Sequence, residues 1–107
     1  MSMKKEINKP KYSEILMQIA EEFEDSIPSN LEYGQKIELV AEAWNLATHQ
    51  CFLDDPKLYK KRLAKFENAA IIEKMVRYKK KIYPTCNNII ISFEVLEDRL
   101  RVESQRQ

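Results

Sequence analysis

The stretch SNLEYGQKIELVAEAWNLATHQCF, residues 29–52, decides the fold. Tyr33, Ile37, Val40, Trp44, Ala47 and Cys51 recur at steps of four and three, the spacing of one apolar helical stripe. Leu39, Ala43 and Leu46 form a second stripe. A helix apolar on two sides sits centrally with neighbours on both, and Ala41, Ala43 and Ala47 let those neighbours come close. Ser29 and Glu32 have the spacing of a capping box, which predicts a helix start at Ser29 or Asn30 and an end near Phe52. Gly34 weakens its first turn. Trp44, with Ile37 and Val40 on the same stripe, is expected in the core.

Upstream, Tyr12, Leu16, Ile19, Phe23 and Ile27 give a narrower stripe, so a helix is expected from about Pro10 to Ile27. Pro28 stops it by disfavouring helical geometry at the residue before it. Downstream, Asp54-Asp55-Pro56 reads as an Asp cap followed by proline in the first turn of a third helix. Tyr59, Leu63 and Phe66 continue that helix. The stripe shifts near Glu67-Asn68, which predicts a bend or a new helix; Ile71, Ile72, Met75, Val76, Tyr78, Ile82 and Tyr83 then form a wide apolar face up to Pro84.

Beyond Pro84 the period becomes two. Ile91-Ser92-Phe93-Glu94-Val95 and Arg99-Leu100-Arg101-Val102-Glu103 alternate on either side of Glu97-Asp98, the pattern of a β-hairpin over 88–104. Its expected buried face is Ile91, Phe93, Val95, Leu100 and Val102. The turn lacks glycine or asparagine, so a C-terminal helix is the competing reading. The expected fold is mainly α (α+β), with three to four helices, the second central, and a C-terminal β-hairpin. One domain is expected over 1–107, with residues 1–9 a flexible tail and 10–83 helical.

With 44% hydrophobic and 33% charged residues, the composition is that of a globular chain able to bury a core without disulfides. Cys51 and Cys86 are therefore expected as free thiols in a reducing cytosol, Cys51 as a small core residue. No apolar run approaches a membrane span, so a cytoplasmic protein without a membrane partner is expected. The net charge is +1, but it is unevenly spread. Residues 14–42 hold eight acids and one base, and residues 57–81 hold ten bases and two acids. Such asymmetry either holds two helical layers in register or presents a basic face to a polyanion. Pairing of Lys60, Lys61, Lys74 and Lys81 with Glu21, Glu22, Glu38 and Glu42 is the mark of the first case.

The chain has one glycine and one histidine, and no phosphate loop, zinc knuckle, nucleophile elbow or repeat. Glu38, Glu42, Asn45 and His49 share one helical face, a set able to bind a divalent metal or act as an acid/base pair. A solvated helix face explains the same spacing, and no cofactor or metal is expected. On a continuous helix His49 and Cys51 point about 200° apart and cannot act on one ligand. The basic stretch offers Lys57, Lys60, Lys61, Arg62, Lys74, Arg77, Lys80 and Lys81 as a nucleic-acid face. Its aromatics Tyr59, Phe66 and Tyr78 fall on the apolar stripes and are expected in the core.

A lone hairpin leaves two strand edges unpaired, and a second copy or an extended peptide can pair with one. The leading expectation is a non-enzymatic, oligomeric protein-interaction module. It uses Glu21 and Glu22 on the acidic helical surface, or Ser92, Glu94, Arg99 and Arg101 on the hairpin. A nucleic-acid-associated factor is the alternative, and an enzyme built on Glu38, Glu42 and His49 the third.

Overall fold

Trp44 is the hub of the molecule. In the computed structural model, which describes residues 11–106, its indole is 1% exposed and meets three elements. Tyr12 touches it edge-on at 5.5 Å, Tyr83 packs tilted at 5.9 Å, and the Lys79 ammonium stands 5.1 Å over its face. Its Nε1–H donates to the Asn88 carbonyl at 2.8 Å. The helix that carries Trp44 touches both long helices and the hairpin, so the central second helix is observed.

Among the described residues, five helices and two strands follow in chain order. They are α1 (Tyr12–Glu22), α2 (Tyr33–Thr48), α3 (Gln50–Asp54), α4 (Pro56–Leu63), α5 (Ala69–Ile82), β1 (Asn88–Val95) and β2 (Leu100–Arg106). The core joins Leu16 and Ile19 of α1, Ile37, Val40 and Leu46 of α2, and Ile72, Met75 and Val76 of α5, closed by Ile90 and Leu100 of the hairpin. Gln18 ties α1 to α5: its Nε2 donates to the Tyr78 hydroxyl at 2.9 Å, and Tyr83 Oη donates to its Oε1 at 2.8 Å. Pro10 and the tail at 1–9 lie outside the described residues.

Three helix boundaries differ from the sequence expectation. The helix α1 stops at Glu22, and turns fill the way to Pro28. The helix α2 starts at Tyr33, because the capping box forms between Glu32 and Gln35 rather than Ser29 and Glu32. Glu32 N–H donates to Gln35 Oε1 at 2.8 Å, and the Glu32 carboxylate accepts from the Gln35 backbone. At its other end α2 breaks at His49, whose extended backbone (ψ 126°) separates it from α3. Cys51 is consequently exposed rather than on the core stripe. The Asp55 cap forms as read: Oδ1 accepts from Lys57 and Leu58 N–H with Pro56 in the first turn. The shift at Glu67-Asn68 is a true break between α4 and α5.

The hairpin is present, antiparallel, and its inner face is offset by a β-bulge. The pairs run Val95↔Leu100, Phe93↔Val102 and Ser92↔Glu103, then jump to Ile90↔Ser104, leaving Ile91 unpaired. One extra residue transfers the inward position from Ile91 to its neighbour. Ile90 is 6% exposed and Ile91 52% exposed, against the expectation that Ile91 is buried. Val95 is also exposed, while Phe93, Leu100 and Val102 pack on the core as expected.

Candidate functional site

The two edges of the hairpin are treated differently. In an antiparallel ladder, residues alternate between pairs whose N–H and C=O point at the partner strand and pairs whose groups point away. Leu96 N–H donates to Arg99 O at 2.8 Å, which fixes the phase: Leu100, Val102, Ser104 and Arg106 point their groups outward from β2. On β1 the outward residues are Asn88, Ile90, Phe93 and Val95. All four backbone groups of Asn88 and Ile90 are taken by side chains, whereas among the described residues no such bond reaches those of Phe93 and Val95. Tyr12 Oη accepts from Asn88 N–H at 3.2 Å, and Trp44 donates to Asn88 O. Asn45 acts as a surrogate strand. Its Oδ1 accepts from Ile90 N–H at 2.7 Å, and its Nδ2 donates to Ile90 O at 2.9 Å. Among the described residues, no such bond reaches the outward N–H and C=O groups of β2.

Two residues at this seam have shifted ionisation. Burial raises the Tyr12 phenol, partly offset by its bond from Asn88 N–H. Burial lowers the Lys79 ammonium, which keeps a 3.2 Å bond to Asn87 Oδ1.

The remaining hairpin residues read from the sequence lie on its outer face. Ser92 Oγ donates to Glu103 Oε1 at 3.1 Å, and Arg101 Nη1 is 3.9 Å from Glu94 Oε1. Both charged partners are largely solvated, so that ion pair is weak. Arg99 is exposed in the turn, and Glu21 and Glu22 are exposed at the end of α1. The pattern of alternating residues gave the outer face; the sealed stretch of β1 at Asn88 and Ile90 was missed, because only the tertiary approach of α1 and α2 shows it.

The nucleic-acid residues split over two helices. Lys57, Lys60, Lys61 and Arg62 are exposed on α4, and Lys74, Arg77, Lys80 and Lys81 are exposed on α5. The expected layer pairing of Lys60, Lys61, Lys74 and Lys81 with Glu21, Glu22, Glu38 and Glu42 does not form among the described residues. Only Arg62 reaches across, 3.8 Å from Glu42, while Arg77 pairs with Glu73 one turn away. Lys60, Lys61 and Arg62 fill the last turn of α4, and Lys79, Lys80 and Lys81 that of α5. Cations there complement the helix dipole, so helix stability accounts for much of the run. Tyr59, Phe66 and Tyr78 pack against the core, as expected, and Lys80 and Arg62 cover Tyr59 and Phe66.

The Glu38, Glu42, Asn45 and His49 face does not converge on a metal. Among the described residues, no three His, Cys, Asp or Glu side chains are placed to hold one. Asn45 is occupied by Ile90 and Glu42 by Arg62. His49 instead meets Cys51: the helix break turns both side chains to one side, with Sγ 3.3 Å from Nδ1. This corrects the expectation that the two diverge. They border a cleft of about 530 Å³ with Phe52, Leu58, Lys61 and Lys65. A thiol beside an imidazole is the start of a nucleophilic pair, but a catalytic one also needs a third group to orient the ring. Among the described residues, His49 has only the Phe52 ring, at 5.8 Å, besides the thiol.

Compared with models of protein families, with curated proteins and with solved structures, the chain matches none. No helix among the described residues is long and apolar enough to cross a membrane.

Proposed function

We propose that this chain is a small, non-enzymatic protein-interaction module of the cytosol whose docking element is the open edge of β2. The single observation that carries the reading is that β1 is sealed over the half of its edge that faces α2, while β2 is open along its length. Tyr12, Trp44 and Asn45 occupy the outward groups of Asn88 and Ile90, while those of Leu100, Val102 and Ser104 stay available. An exposed strand edge is a template for an added strand: main-chain bonds supply affinity and alternate side chains supply choice of partner. The two free thiols, Cys51 and Cys86, fit a reducing compartment.

Ser104→Pro tests the reading. It deletes an outward N–H and leaves the β1 ladder intact, which is where proline is tolerated in a strand. A partner held by the native chain is lost by this variant, and the purified partner protects the Leu100 and Val102 amides from exchange. A partner that binds both chains equally uses a helical face instead.

One observation favours a second reading. The lysines that fail to pair across layers leave cations free for a polyanion. Binding of mixed-sequence RNA or DNA that falls steeply between low and physiological salt supports it. No binding at low salt removes it.

A further inference from the structure

Resting on the reading of β2 as the docking edge, we infer that its partner is a second copy of this chain, paired antiparallel about a two-fold axis through Val102. The result is a continuous four-stranded sheet in the order β1-β2-β2-β1. Self-pairing of identical edges by a two-fold axis normal to the sheet keeps both helical layers on the same side, which is the arrangement a closed dimer needs.

The register follows from two constraints. The outward groups belong to Leu100, Val102, Ser104 and Arg106, so these even-numbered residues must pair with one another. Centres on each residue from Arg101 to Gln105 meet that requirement, but those on Arg101 and Gln105 pair only three residues of each strand, and a centre on Ser104 sets Glu103 opposite Gln105 with no ion pair. A centre on Arg101 sets its guanidinium opposite its own copy, and a centre on Glu103 sets two carboxylates opposite each other. Like charges directly opposite destabilise a ladder. A centre on Val102 sets Arg101 opposite Glu103 twice, once on each side of the axis. All four charges lie on the outer, exposed face. On the inner face Val102 meets Val102 and adds apolar contact where this side chain is only half-buried. Arg101 is held only by a 3.9 Å, solvated pair with Glu94, so it is free to reach across.

The test uses the full chain in sedimentation equilibrium, with two charge reversals. Arg101→Glu faces two pairs of carboxylates across the axis, and Glu103→Arg two pairs of cations. Each is expected to weaken the dimer roughly tenfold or more. An equimolar mixture of the two variants restores opposite charges at every position, so it forms a mixed dimer at least as tight as the native one. A readout without substitutions guards against misfolding. In a sample mixing isotope-labelled and unlabelled native chains, an intermolecular Hα–Hα contact between Arg101 and Glu103 is expected. A native chain that stays monomeric at millimolar concentration overturns the self-pairing. So does a dimer indifferent to both reversals and lacking that contact. The underlying reading is judged separately. A monomer whose Val102 amide exchanges freely keeps β2 open for a different chain, and a monomer whose Val102 amide is protected refutes both.

Discussion

Truncating Asn45 to alanine removes the surrogate strand from β1. The two bonds it makes, 2.7 and 2.9 Å to the N–H and C=O of Ile90, serve a residue that is 6% exposed. Water cannot replace them without opening the seam between α2 and the hairpin. A buried polar group left unpaired costs about 1–3 kcal/mol, so two such groups set the expected loss at roughly 2–6 kcal/mol. Against a total of about 5–15 kcal/mol for a domain this is a large share. In urea unfolding the midpoint falls while the slope is unchanged. With about 4–8 °C per kcal/mol for a domain near this size, Tm drops by at least roughly 8 °C. Asn45→Asp does not rescue. It keeps an acceptor for Ile90 N–H but sets a second carboxylate oxygen against the Ile90 carbonyl. A loss below about 0.5 kcal/mol for Asn45→Ala refutes the reasoning, because it is the size of a surface change with no partner removed.

Other outcomes follow from particular residues. Glu32→Ala is expected to cost about 1 kcal/mol by removing the true cap of α2, and Ser29→Ala almost nothing; thermal melts compare them. Ile90→Ala is expected to lose about 2–5 kcal/mol, whereas Ile91→Thr on the exposed bulge changes stability by less than about 0.5 kcal/mol in urea. A thiol reagent is expected to label exposed Cys51 before half-buried Cys86, as read by mass spectrometry of digested protein; the reverse order places the break at His49 wrongly. Burial raises the phenols of Tyr12, Tyr33, Tyr59 and Tyr83, so above pH 10 the unfolded chain releases those protons first and stability falls as pH rises. Lys79 acts in the opposite sense, because its lowered value lets the folded chain lose its proton first. Urea midpoints of the native chain and of Lys79→Met between pH 9 and 11 separate the two: the variant lacks the opposing contribution, so its midpoint falls more steeply as pH rises.

Apolar periodicity made the central helix, the place of Trp44 and the hairpin legible, because burial selects one face of a helix or strand and leaves its spacing in the sequence. The Asp55 cap was legible for a local reason: a carboxylate two and three residues before free amides, with proline between, has one obvious use. The capping box was misplaced because two overlapping candidates exist, and Glu32 serves either as the last member of one or the first of the other. The bulge was hidden because a run of three isoleucines offers the same side chain to both faces of β1. Asn45 was noticed as chemistry on a helix face. Its real task depends on the approach of a strand forty-five residues away, which no local pattern encodes. The break at His49 leaves no trace either, since neither glycine nor proline marks it and Cys51 sustains the apolar spacing of the helix.

Residue-resolved amide exchange of the native chain over a dilution series tests the central claim, a hairpin whose β1 edge is sealed at Asn88 and Ile90 and whose β2 edge is open. Ile90 is expected to stay protected at every concentration. Val102 is expected to exchange quickly when dilute and to gain protection as the chains concentrate and pair. Fast exchange of Ile90, or protection of Val102 already in the dilute monomer, contradicts it.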